Sequence, residues 1–180
     1  LQDDLLFLGS MVEKAISKAL DALKNKDFPA SKKILEEDDV IDQLRFDIEE
    51  KCVDLLATQQ PLASDLRTLI SVLHIAVELE RMGDYAEGIA KISIQMGDDP
   101  PLKPLIDIPR MGEQASKMLR LSLDAFVNRD VVAAQKVSDA DDEVDGLYEQ
   151  VYRELLTFMI EDPKKVKRAT FLLWVAHDLE

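Results

Sequence analysis

Residues 19–44 read ALDALKNKDFPASKKILEEDDVIDQL, and residues 122–147 read SLDAFVNRDVVAAQKVSDADDEVDGL. Laid over one another at an offset of 103, eleven of the 26 positions are identical: Leu20, Asp21, Ala22, Asn25, Asp27, Ala30, Lys33, Asp38, Asp39, Asp42 and Leu44. A three-residue shift at the next turn aligns Ala76, Leu79 and Glu80 with Ala176, Leu179 and Glu180. The chain therefore contains two copies of one unit, and the fold of one copy predicts the fold of the other.

Within each copy the apolar residues keep helical spacing. Ile34, Ile41, Ile48 and Leu55 recur every seven residues, as do Val137, Val144, Val151 and Phe158, and no stretch sustains a period of two. Breaks fall at Lys26-Asp27 before Phe28-Pro29, at Gln60-Pro61, at Asp98-Asp99-Pro100-Pro101, at Arg129-Asp130 and at Asp162-Pro163. This predicts six helices, near 3–25, 28–58, 62–96, 104–128, 130–160 and 163–180. Short loops make consecutive helices antiparallel neighbours. The expected fold is all-α, two tandem three-helix bundles over residues 1–98 and 103–180, joined at the proline-rich stretch Asp98–Pro104.

Composition narrows the function. A chain of 180 residues with 47% hydrophobic content can bury a substantial core, and six glycines and seven prolines leave room for long uninterrupted elements. A net charge of −14 opposes nucleic acid and anionic membrane faces, and favours cations or a basic surface on a partner protein. The longest purely apolar run, Phe171–Ala176, is too short to span a bilayer. No segment reads as a signal peptide. The lone Cys52 cannot form an internal disulfide, suits a reducing cytosol and is expected to fill core space. The expected location is cytoplasmic.

The acids decide what remains. Asp38 and Asp42 are four residues apart on the second helix, Asp141 and Asp145 repeat them on the fifth, and Glu80 and Asp84 share a face of the third. Glu80 and Asp84 continue the stripe Leu69, Leu73, Ala76, and Glu180 continues Ala169, Leu173, Ala176. Asp141 and Asp145 are mixed with Val137, Tyr148 and Tyr152 on an apolar side. In the first copy the flanking Arg45 and Glu49 are polar, so the case for burial is weaker there. Carboxylates on a semi-buried stripe need compensation. Acids from two neighbouring antiparallel helices can supply a nest of hard oxygen ligands for Mg²⁺, Ca²⁺, Mn²⁺ or iron. Alternatively they are solvated acids paired with Arg45, Arg81 or Lys91. Their recurrence at matching places in both copies favours the metal.

Other chemistry is sparse. His74 and His177 are the only histidines, His177 three residues before Glu180, and core or surface roles suit both. There is no His-Glu-x-x-His, no paired-cysteine motif, no glycine-rich phosphate loop and no nucleophile with a base. Neither histidine follows a glutamate by three residues, which weighs against a carboxylate-bridged, ferritin-like di-metal protein without removing that alternative. A structural helical adaptor without metal is the other. No catalytic constellation is visible, so the chain is expected not to be an enzyme.

The segments Gln60–Arg67 (QPLASDLR), Glu78–Ala90 (ELERMGDYAEGIA) and Arg168–Glu180 (RATFLLWVAHDLE), with the duplicated Asp-x-x-x-Asp, resemble the PhoU family of bacterial phosphate-uptake regulators. The resemblance covers essentially the whole chain. It implies two three-helix bundles whose acid-x-x-x-Asp motifs hold multinuclear iron or zinc clusters. The matching positions are Asp38, Asp42, Glu80 and Asp84 for one site and Asp141, Asp145 and Glu180 for the other. It further implies a non-enzymatic, self-associating and often dimeric cytoplasmic regulator. Such a regulator damps import through the phosphate-specific ABC transporter, by way of its ATPase subunit, and holds the phosphate-sensing histidine kinase inactive. Contact with the membrane would come only through these partners. The family continues past the Glu180 position with Arg-x-x-Asp and more helix, so the second site is expected to be one ligand short here.

Overall fold

Lys26 and Arg129, the same position in the two copies, both adopt the left-handed conformation (φ 53° each) and end a helix. In each turn the next amide folds back onto a helical carbonyl, Asp27 N–H to Ala22 O and Asp130 N–H to Ala125 O, both at 2.9 Å. The same aspartates open the following helix, Asp27 accepting from the Ala30 amide (3.0 Å) and Asp130 from the Ala133 amide (2.9 Å). One turn chemistry is thus used twice.

The computed structural model describes residues 1–180 and contains six α-helices: α1 (Gln2–Asn25), α2 (Phe28–Gln59), α3 (Ala63–Met96), α4 (Asp107–Asn128), α5 (Val131–Glu161) and α6 (Val166–Leu179). A single 3₁₀ turn, Pro163–Lys165, leads into α6. Helix α4 begins three residues later than residue 104, because the proline-rich stretch before it is held as irregular chain. Lys26 donates to the carbonyls of Asp98 and Asp99, Arg168 donates to that of Pro100 (2.9 Å), and the buried Lys103 pairs with Glu154.

The seven-residue rows face inward as expected. Ile34, Ile41 and Ile48 are buried on α2, and Val137, Val144 and Val151 on α5. Cys52 is fully buried and free. Trp174 lies half in solvent and meets Phe171 edge-on.

The two three-helix units share one continuous core of 33 buried residues, with α1 packed on α4 and α3 on α6. Two glycines allow the close approach. A β-carbon at Gly9 would fall 2.2 Å from Leu123 Cδ1, and one at Gly112 would fall 2.0 Å from Leu20 Cδ1. These positions, 9 and 112, 20 and 123, differ by the repeat offset. The α1–α4 seam is therefore an antiparallel contact in which each copy makes the same contact with the other.

Candidate metal centre

On α2 the spacing Asp38, Asp42, Arg45, Glu49 follows steps of four, three and four and lies on one helical face. On α3 the run Glu80, Asp84, Glu87, Lys91 does the same. The two helices meet with Gly83 against Ile41: a β-carbon at Gly83 would sit 3.1 Å from Ile41 Cγ2 and 3.5 Å from Asp38 Oδ1. The glycine thus brings α3 close to α2 and leaves space beside Asp38.

Three carboxylates converge there. Asp38, Asp42 and Asp84 each offer an oxygen, and these oxygens lie within 4.8 Å of one another. A hard cation binds oxygens at about 2.0–2.6 Å, so two ligands of one ion are at most about 5 Å apart. Asp42 Oδ1 is buried and accepts no hydrogen bond. A buried carboxylate oxygen without a partner is costly in a protein, and a cation is a partner that fits.

The electrostatics agree. Asp38 is pushed up to about 6, first by burial and then by Glu87, Asp42 and Asp84. Asp84 is raised by burial, Asp42 and Glu87, with Lys91 opposing. Glu80 is raised by burial and by Asp84, with Arg45 opposing. Glu80 lies beside the trio, outside the 4.8 Å group.

The expectation about which copy buries its acids is reversed. Asp38 and Asp42 are half-buried, although Arg45 and Glu49 flank them, whereas Asp141 and Asp145 are exposed on α5. α3 packs along α2 beside Asp38 and Asp42, with Gly83 against Ile41. Asp141, Asp145 and Glu180 form no group close enough for one ion. Asp141 and Glu180 instead line a cavity of about 670 Å³, with His74, Tyr85, His177 and Asp178 also on its walls. His177 Nδ1 lies 3.2 Å from Glu180, its partner one turn away. Arg81 pairs with Glu78 at 3.6 Å in solvent, and is an ordinary surface partner.

The PhoU domain model matches residues 5–93 and 108–180, which is each copy of the repeat in turn. The chain belongs to the PhoU family. It is 40% identical over 179 residues to the phosphate-specific transport system accessory protein PhoU homolog of Aquifex aeolicus, covering 99% of this chain and 81% of that one. The homolog of the same description from Clostridium acetobutylicum is 39% identical over 181 residues, covering 100% and 83%. Among solved structures, PhoU from Pseudomonas aeruginosa superposes with a TM-score of 0.92 at 36% identity, over 98% of this chain and 85% of that one. The phosphate transport system regulatory protein PhoU from Streptococcus pneumoniae gives 0.90 at 32% identity, over 99% and 84%.

Two features of this PhoU-family chain escaped the sequence reading. Asp178 is half-buried at the end of α6, 3.1 Å from where a β-carbon at Gly88 would sit, and burial pushes it up to about 6. Its position after the apolar Val175-Ala176 was the available signal. Lys91 and Arg45, read as counter-ions of the site acids, each pair instead with a glutamate of their own helix, Glu87 and Glu49. No helix is long and apolar enough to cross a membrane.

Proposed function

We propose that this chain is a non-enzymatic accessory of phosphate uptake that restrains import through the phosphate-specific ABC transporter. In the same reading it holds the phosphate-sensing histidine kinase inactive when phosphate is plentiful, working in the cytoplasm as a self-associating protein. The observation that carries this reading is the match of both repeat units, at 40% and 39% identity, to proteins named as accessories of phosphate-specific transport. The net charge of −14 suits an adaptor that meets basic protein surfaces and is repelled by anionic lipid.

The metal belongs to the same proposal. Asp38, Asp42 and Asp84 would hold a hard cation, with Glu80 at its edge, and the ion would neutralise the charge that now crowds the patch. An all-oxygen donor set suits iron or manganese better than zinc, which prefers histidine and cysteine in tetrahedral sites. Bound there, the ion would offer a positive point on an acidic surface.

The test is a pull-down of the protein from membranes of phosphate-replete cells, probed for the transporter's ATPase subunit and the histidine kinase, alongside phosphate uptake in cells lacking the protein. Recovery of either partner, with faster uptake in its absence, is expected. Neither partner recovered and uptake unchanged would overturn the regulatory role. Elemental analysis of purified protein against the Asp42→Asn, Asp84→Asn double variant tests the metal separately, and equal metal content would remove it.

A further inference from the structure

A cavity of about 320 Å³ lies at the joint of the two copies, where α1 and α3 both end, between residues 97–105 and Leu172 of α6. Its floor is apolar: Leu23 and Leu172 are buried, and Met96 and Leu102 are half-buried. Ser93 lines it too, 3% exposed and one of the chain's two buried polar residues, and no hydrogen bond of the protein uses its hydroxyl. A hydroxyl held away from bulk water without a partner is costly, so an acceptor inside the cavity would relieve it.

Three lysines stand around this floor. The Lys103 side chain is 8% exposed and is neutralised by Glu154 and, at 3.9 Å, by Asp107. Lys24 and Lys26 have no such partner. Neither forms an ion pair, and Lys26 donates only to the main-chain carbonyls of Asp98 (3.2 Å) and Asp99 (2.6 Å). Asp99 is the one acid on the wall. The turn into α2 does not itself require a lysine at 24, because the same position in the other copy is Val127. In a chain of net charge −14, two ammonium groups without a carboxylate beside an apolar cavity stand out as a place for an anion.

We propose that this cavity binds a small amphipathic anion, its apolar body against Leu23, Met96 and Leu172 and its carboxylate or phosphomonoester head between Lys24, Lys26 and the Ser93 hydroxyl. Ligand sites are built this way, mostly apolar with a few polar groups that fix orientation. They span about 300–1,000 Å³, and this one stands at the small end, so the body is a short chain or a single ring. A cationic ligand would meet two ammonium groups, and a neutral one would leave both unpaired. The anion would touch α1, α3 and the chain that joins the copies, so its binding stabilises that joint by mass action.

Calorimetric titration of the protein with sodium octanoate and with octyl phosphate, together with thermal melts in each, tests this. One equivalent of at least one of the two is expected to bind and to raise the melting temperature, and the tighter of them identifies the head group. Octylamine, with the same body and the opposite charge, and inorganic phosphate, a head without a body, are each expected to bind at least about tenfold more weakly. Lys24→Gln, at an exposed and unpaired position, is expected to weaken the anion about fivefold or more, whereas Lys32→Gln, an exposed lysine of α2 outside the cavity, should change it by less than about twofold. Binding of neither anion, octylamine or inorganic phosphate binding as tightly as the better anion, or a Lys24→Gln variant that matches wild type would each overturn the proposal.

Discussion

Asp38 is a residue whose charge the fold disfavours. Its carboxyl titrates near 6 in the folded chain and near 3.8 when free, so the folded state holds the proton more tightly. A raised carboxyl contributes stability below its unfolded value and loses it as pH rises through the folded one. Asp178 follows the same rule, and Asp84 and Glu80 move in the same direction. Chelator-treated protein should therefore lose thermal stability between about pH 4.5 and 7 as these carboxyls ionise, and Asp38→Asn should flatten that dependence while raising the melting temperature at neutral pH. A melt series in which the variant keeps the wild-type slope would show that Asp38 is not the strained group. Gly83 is the companion prediction. Alanine there gains up to about 1 kcal/mol of helix propensity but meets the buried Ile41 at 3.1 Å. Overpacking typically costs about 1–3 kcal/mol, so Gly83→Ala should destabilise the protein in urea titrations, and a stabilised variant would argue that α2 yields freely.

The helices were read well from their ends inward. The turns at Lys26-Asp27 and Arg129-Asp130 were visible because basic residue, aspartate and the apolar row beyond them recur at one offset. Asp27→Ala and Asp130→Ala should each cost about 1 kcal/mol, since each removes the one side chain that satisfies a first-turn amide. Denaturant midpoints for the two single variants and the double check this, and a neutral result at either turn would mean that water caps that helix equally well. In the row below, Ile48 is fully buried on α2. Ile48→Ala should cost about 2–5 kcal/mol by loss of burial and an unfilled cavity. A loss below about 1 kcal/mol would mean that the groove between α2 and its neighbours collapses without penalty.

The two bundles were legible as a repeat, and their union was not. Gly9 and Gly112 lie outside the 26 residues where the copies match best, and nothing local distinguishes a glycine that admits a leucine from the other helix from one that does not. Paired across the α1–α4 seam, they join both copies into one core. Gly9→Val and Gly112→Val should each destabilise by about 1–3 kcal/mol or more by forcing the seam apart. Urea unfolding of the wild type should be a single transition, because the buried cluster runs through both units, whereas the valine variants should begin to separate the transitions of the two halves. Two well-resolved transitions already in the wild type would show that the seam is weaker than its packing implies.

Helix identity, helix order, the duplicated turns and the candidate acids were all carried by local pattern: period, caps and like residues at one offset need no knowledge of what lies across the fold. Which acids meet was decided elsewhere. Asp38, Asp42 and Asp84 come together because α3 packs back along α2, with Gly83 permitting the approach, a juxtaposition that neither helix spells out on its own. Carboxylates gather only where two backbones are held close enough to bring their side chains onto one point, and that distance is a property of the packed helices and not of either helix alone.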